Sequence, residues 1–222
     1  MFTILRQSAA ALAAAGLLGG ASWAEATVLY NNGALNGSIY AFNIGGAGGL
    51  YAISDSFTLD AASTIGGIDF GAWTLPGDTV STVDWGITST YDSFSGFLAG
   101  GTAMVTNGAA TVNSSGWATS VDSFSTGPIK LAAGIYYLVL QNAVATNEDP
   151  VNWDETDGPS SAVSNVLGNL QNYDRPGTTG SESFQIFGAH GDATPEPAAW
   201  VLMLVGFAGI GAALRRREAA AA

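Results

Sequence analysis

Between residues 27 and 190, apolar positions recur at every second residue in short runs, and no run keeps the helical period. The clearest run is Thr79 to Thr88, where Val83, Trp85 and Ile87 fall on one face and Thr82, Asp84 and Thr88 on the other. Pro76-Gly77-Asp78 just before it is turn chemistry. Ile135 to Leu140 is apolar on both faces, which predicts a central strand buried between layers, entered through a tight turn at Ala132-Ala133-Gly134. Further strands are predicted over 28–31, 38–43, 54–59, 65–73, 102–106, 110–117 and 184–187.

Roughly eight to ten short strands separated by Gly, Ser, Asn and Asp predict an all-β fold, an antiparallel β-sandwich of jelly-roll type. The aromatics that recur within strands, Phe57, Phe70, Trp73, Trp85, Tyr137 and Phe184, are the expected core. Residues 145–183 are poorly patterned and read as a long loop, in which Ser161 to Leu170 could support a short helix. Gly45-Gly46-Ala47-Gly48-Gly49 is a flexible loop and not a phosphate cradle, because no Lys-Ser/Thr follows it.

Charge narrows the function classes. Residues 27–194 hold 15 Asp and Glu against two basic residues, Lys130 and Arg175. A domain this acidic releases almost no counterions from a phosphate backbone, so nucleic-acid partners are excluded. The 222-residue chain has no cysteine, so disulfides take no part in its stability.

Candidate chemistry is sparse. His190 is the only histidine, and without cysteine or a Gly-x-Ser-x-Gly elbow nothing supports nucleophilic catalysis, so no catalytic residue is expected. A zinc site lacks ligands for the same reason. The segment from Glu148 to Asp157 holds five carboxylates, Glu148, Asp149, Asp154, Glu155 and Asp157, in ten residues. Ca2+ takes six to eight oxygens in irregular geometry, so this run is the candidate cation site, without the spacing of an EF-hand. Trp153 within it and Tyr173 beyond it are the candidates for stacking on a sugar ring.

Both ends read as signals. Arg6, the apolar stretch from Ala9 to Leu18 and the small-x-small sites ending at Ala24 and Ala26 describe a secretory signal peptide over residues 1–26. At the other end stand Pro195-Glu196-Pro197, then 17 apolar residues from Ala198 to Leu214, then Arg215-Arg216-Arg217. As a helix that run is about 25 Å long, at the short end for a membrane span. Trp200 would lie at the interface, and the arginines would stay cytoplasmic with residues 218–222.

This tail resembles the Trp-containing variant of the PEP-CTERM sorting signal of Gram-negative bacteria, also catalogued as the C-terminal domain of ice-binding proteins. The resemblance implies three things: a sorting segment over 191–217 after a β-sandwich over 27–190, processing by signal peptidase and exosortase, and transient attachment to the inner membrane. Its destination is then the periplasm, outer envelope or extracellular matrix, where the family accompanies exopolysaccharide and biofilm production. The strand pattern is also similar to the all-β domain of short PEP-CTERM proteins and, in outline, to jelly-roll carbohydrate-binding modules. The expected function is therefore a non-enzymatic envelope or matrix protein that binds extracellular polysaccharide. Ice binding and glycoside hydrolysis by paired carboxylates are the alternatives.

Overall fold

The computed structural model describes residues 26–190 except 39, 47–50, 92, 167–168 and 173–179. They form two antiparallel sheets, with no helix among the described residues. The first sheet is built on β4 (Ser63–Thr74). Along one edge β4 pairs with β8 (Ala118–Leu131), which carries the short β7 (Thr111–Val112). Along its other edge lies first β13 (Phe184–His190) and then β10 (Asn152–Asp154), flanked by β1 (Thr27–Asn31) and β2 (Ala41–Asn43) respectively. The second sheet has the order β12 (Asn169–Asn172), β11 (Ala162–Val166), β3 (Tyr51–Leu59), β9 (Gly134–Ala145), β5 (Val80–Thr88), β6 (Ala99–Met104).

The inward rows of the two sheets share one core. Trp85 of β5 lies 6.1 Å from Phe124 of β8, and Phe57 of β3 lies 6.1 Å from Tyr30 of β1. Each fully buried ring contributes about 1.5–3 kcal/mol relative to an exposed one. Strand β4 departs from strict alternation in an instructive way. Ile65 and Ile68 are three residues apart, which would point them to opposite faces, yet both are buried. A bulge at Gly66, where the register to β8 slips between Ile65 and Gly67, resets the alternation so that both enter the core.

Several expectations need correction. Tyr136, not Tyr137, is the core tyrosine of β9; its ring packs 5.7 Å from Phe57, while Tyr137 pairs edge-on with the exposed Tyr91. Residues 145–183 are not one long loop, since β10, β11 and β12 lie within them. The described residues of 161–170 form strands and no helix, because Ala162–Val166 completes the edge of β3 that β9 leaves free. The longest strand, β8, was not expected. Its inward row contains Ser120 and Asp122 before Phe124, while Val121 points outward at 48 % exposure, so its apolar pattern is inverted.

Among the described residues no helix is long and apolar enough to cross a membrane. The expected signal peptide, with Ala24, and the expected span over 198–214 lie outside them; Ala26 is their first residue.

Candidate functional site

The five carboxylates of 148–157 are dispersed by the fold. Glu148, at a positive φ of 62°, and Asp149 flank the turn after β9, where Asp149 shares a hydrogen bond with Asp78 that holds its carboxyl above the usual range. Asp157 is exposed. Asp154 is buried in β10 and fully engaged: Trp73 Nε1 donates to it at 2.6 Å, and the amides of Gly37 and Asn36 at 3.1 and 3.0 Å. Among the described residues no three acidic or histidine side chains converge as a ligand set. Trp153 is 0 % exposed, its indole donating to the carbonyl of Ser183 and packing edge-on against Phe184, so it offers no ring face to a ligand. Tyr173 lies outside the described residues. His190, at the end of β13, is exposed, with its ring Nδ1 3.2 Å from the Ser63 hydroxyl.

A buried acidic cluster takes the place of that loop. The alternation of β3 aims Ile53, Asp55, Phe57 and Leu59 at the core, so a carboxylate stands in an apolar row. Asp55 crosses to the other sheet: its Oδ2 accepts from the Glu182 amide at 2.6 Å and from Asn32 Nδ2 at 3.0 Å, and its Oδ1 accepts from the Ser56 amide. Burial pushes its pKa up to about 7. Asn32 Nδ2 also lies 2.5, 2.8 and 2.7 Å from Ser160 Oγ, Ser181 Oγ and the Glu182 carbonyl. Tyr30 donates to Asn32 Oδ1, and burial together with the Asp55 charge pushes its hydroxyl up to about 12. Glu182 is completely buried, and desolvation, then Asp55, Glu155 and Asp154, raise its carboxyl well above the ordinary value. Sequence patterning missed Asp55, Asn32 and Glu182. The row Ile53-x-Asp55-x-Phe57-x-Leu59 was the available signal for the first, whereas Ser181-Glu182-Ser183 carries none.

Two of the surface depressions among the described residues carry polar or aromatic groups that a ligand could use. One, about 250 Å³, is lined by Tyr40, Ala41, Trp73, Ser115, Trp117 and Asn152 on the outer side of the first sheet. Trp117 is half-buried and tilted against Trp73 with centroids 6.5 Å apart, and Tyr40 is 46 % exposed. Trp117 is held by the turn 113–117, in which its amide donates to Asn113 Oδ1 and Gly116 takes a positive φ of 85°. The other, about 630 Å³, lies on the second sheet and carries Asp84, Glu148 and Asp149 with no aromatic ring. Its Asp84 is tied by Thr102 Oγ1 at 2.5 Å and by Asn142 Nδ2 at 2.8 Å.

Beyond the last described strand come Pro195-Glu196-Pro197, the apolar run and the arginine triplet. Residues 193–217 match the PEP-CTERM protein-sorting motif. The motif implies an exported protein that exosortase processes, with a membrane-anchored precursor in a Gram-negative cell envelope. Pro195, Glu196, Pro197, Trp200, Arg215, Arg216 and Arg217 all fall inside the matched PEP-CTERM residues. No curated protein and no solved structure matches the chain. The sorting motif therefore speaks for destination, and the chemistry of the two sheets has to be read from their own residues.

Proposed function

We propose that this chain is a non-enzymatic envelope or matrix protein whose two sheets form a jelly-roll-like sandwich, and that it binds an extracellular polysaccharide in the groove of Tyr40, Trp73 and Trp117. The observation that carries the reading is the juxtaposition of two partly exposed rings with the hydrogen-bonding side chains of Asn152 and Ser115 in one concave surface. A sugar ring has an apolar C–H face and a rim of hydroxyls. Aromatic faces cover the first, and a few fixed polar groups orient the second. An acidic surface suits a matrix of polyanions bridged by divalent ions, and sorting by exosortase supports the delivery of the protein to such a matrix.

The test is affinity electrophoresis of the full-length chain through gels containing bacterial exopolysaccharides or cellulose. The wild type is expected to be retarded by at least one of them. Trp117→Ala should weaken retention about tenfold, the value of one good aromatic contact, while the lost packing on Trp73 lowers the melting temperature by only a few degrees. No retention on any polysaccharide removes the binding role. The acid-lined groove of Asp84, Glu148 and Asp149 supports the second reading, a glycan hydrolase. Release of reducing ends from those same polysaccharides, lost in Asp84→Asn, would replace the first reading with it.

A further inference from the structure

Asp55, Asp154, Glu155 and Glu182 are all buried, on three segments joined by the Glu155–Glu182 bridge and by the Glu182 amide on Asp55. A core normally tolerates an ionised carboxylate only when donors or a counter-charge replace its lost water. Asp154 and Asp55 meet this condition through the amide and indole donors described above. Glu182 does not. It is 0 % exposed, and neither Oε1 nor Oε2 receives a hydrogen bond. The charges acting on it, those of Asp55, Glu155 and Asp154, are all negative.

The surroundings are rich in oxygen. Four oxygens, Asp55 Oδ2, Ser160 Oγ, Ser181 Oγ and the Glu182 carbonyl, crowd within 3.0 Å of the single amide nitrogen of Asn32. The amide's two hydrogens and those of the two serine hydroxyls, which lie 2.7 Å apart, are taken up within this group, and none reaches the Glu182 carboxyl. A proton on Glu182 would cancel its charge and still leave its second oxygen without a donor. A cation supplies the counter-charge that Glu182 lacks.

We propose that this inter-sheet cluster binds one calcium ion, anchored by the carboxylates of Glu182 and Asp55 and completed by neutral oxygens of Ser160, Ser181 and the backbone. Two carboxylates neutralise one Ca2+, so three converging acids are not required. Calcium accepts hydroxyl, carbonyl and water oxygens in irregular sets of six to eight, whereas magnesium demands an octahedron and keeps its waters. The ion would cross-link β3 to the segment leading into β13, joining the two sheets at a point where the core is otherwise repulsive. This site is separate from the aromatic groove and does not depend on saccharide binding.

The experiment is a calcium titration of the full-length chain after EGTA treatment, followed by calorimetry and by thermal melting. One equivalent should bind. Free calcium at a hundredfold excess over Kd should raise the melting temperature by about 5–10 °C for a domain of this size. Terbium should report the same site through emission sensitised by the neighbouring Trp153 and displaced by calcium. Glu182→Gln should abolish all three responses and melt above the EGTA-treated wild type, while Glu148→Gln in the exposed turn keeps them. If Glu182→Gln does not fold, the wild-type titration decides. No heat, and a melting temperature indifferent to calcium, overturn the proposal. A response that survives in Glu182→Gln overturns it too, as does a cluster whose stability changes with pH identically with and without calcium.

Discussion

Asp55 and Asp122 occupy positions where strand alternation calls for an apolar side chain, and the fold treats them differently. Asp55 is surrounded by donors from both sheets, whereas Asp122, 0 % exposed in β8, has the Gly108 amide at 3.1 Å on Oδ1 and the Ser120 hydroxyl beside it, and its Oδ2 is unpaired. Burial accordingly raises the pKa of Asp122 from 3.8. The folded state binds the proton more tightly than the unfolded chain, so the contribution is favourable at low pH. It is lost as pH rises from about 4 through the raised value. Asp122→Asn should therefore melt above the wild type at neutral pH, and the gap should close as pH falls toward 4, as melting curves across that range will record. At this scale legibility depended on context. A carboxylate inside a clean row, such as Asp55 between Ile53 and Phe57, could be noticed, but whether donors await it on the opposite sheet is a long-range fact. Trp153 makes the same point in reverse: its acidic neighbours suggested an exposed loop, and the ring turned out to be among the most buried in the molecule.

Elements were readable where one face is apolar and the other polar. The alternation over Thr79 to Thr88 is β5 (Val80–Thr88), and the doubly apolar run is the middle of β9, paired on both edges. β8, β10 and β11 escaped notice because their buried positions include Ser120, Asp122, Asp154 and Ser164, polar groups that only cross-strand partners make tolerable. Strand β4 carries the sharpest test at this scale. A Cβ at Gly66, in the bulge, meets nothing within 4 Å, whereas one at Gly71 falls 2.8 Å from the Asp154 Cβ and 2.9 Å from Leu35 Cδ1. Gly66→Ala should leave denaturant stability nearly unchanged, and Gly71→Ala should cost about 1–3 kcal/mol by overpacking the β4–β10 contact. Equal effects of the two substitutions would mean that the bulge is as tightly packed as the strand end.

For the whole molecule, architecture class and the sorting motif were both legible, because each is written in local pattern: period-two alternation for the sheets and an ordered tail for sorting. Strand order was not, since β4 pairs with β8 and β13, partners that lie far along the chain. Mass spectrometry of the protein recovered from the producing cell should find a mature chain beginning at Thr27 and ending near Pro197, without Arg215, Arg216 and Arg217. Retention of the arginines would reduce the tail to a permanent anchor.

The pairing of β1 with β13 has a consequence for how the protein reaches its destination. Thr27 lies opposite Gly188, so the first strand to leave a translocation channel waits for the last before its ladder can form. Loop closure over that span is slow, and β13 must also insert between β1 and β4. With this wiring the β1 ladder stays open until almost all of the chain has crossed. By then only the few residues between His190 and Pro195 separate the closing strand from the sorting motif. The latch that completes the fold thus sits beside the segment that exosortase handles, so a half-knitted molecule would present its release signal next to a gap in its own sheet. Closure of the first sheet is the folding step nearest the sorting motif in the chain, with the final strand as the last stitch.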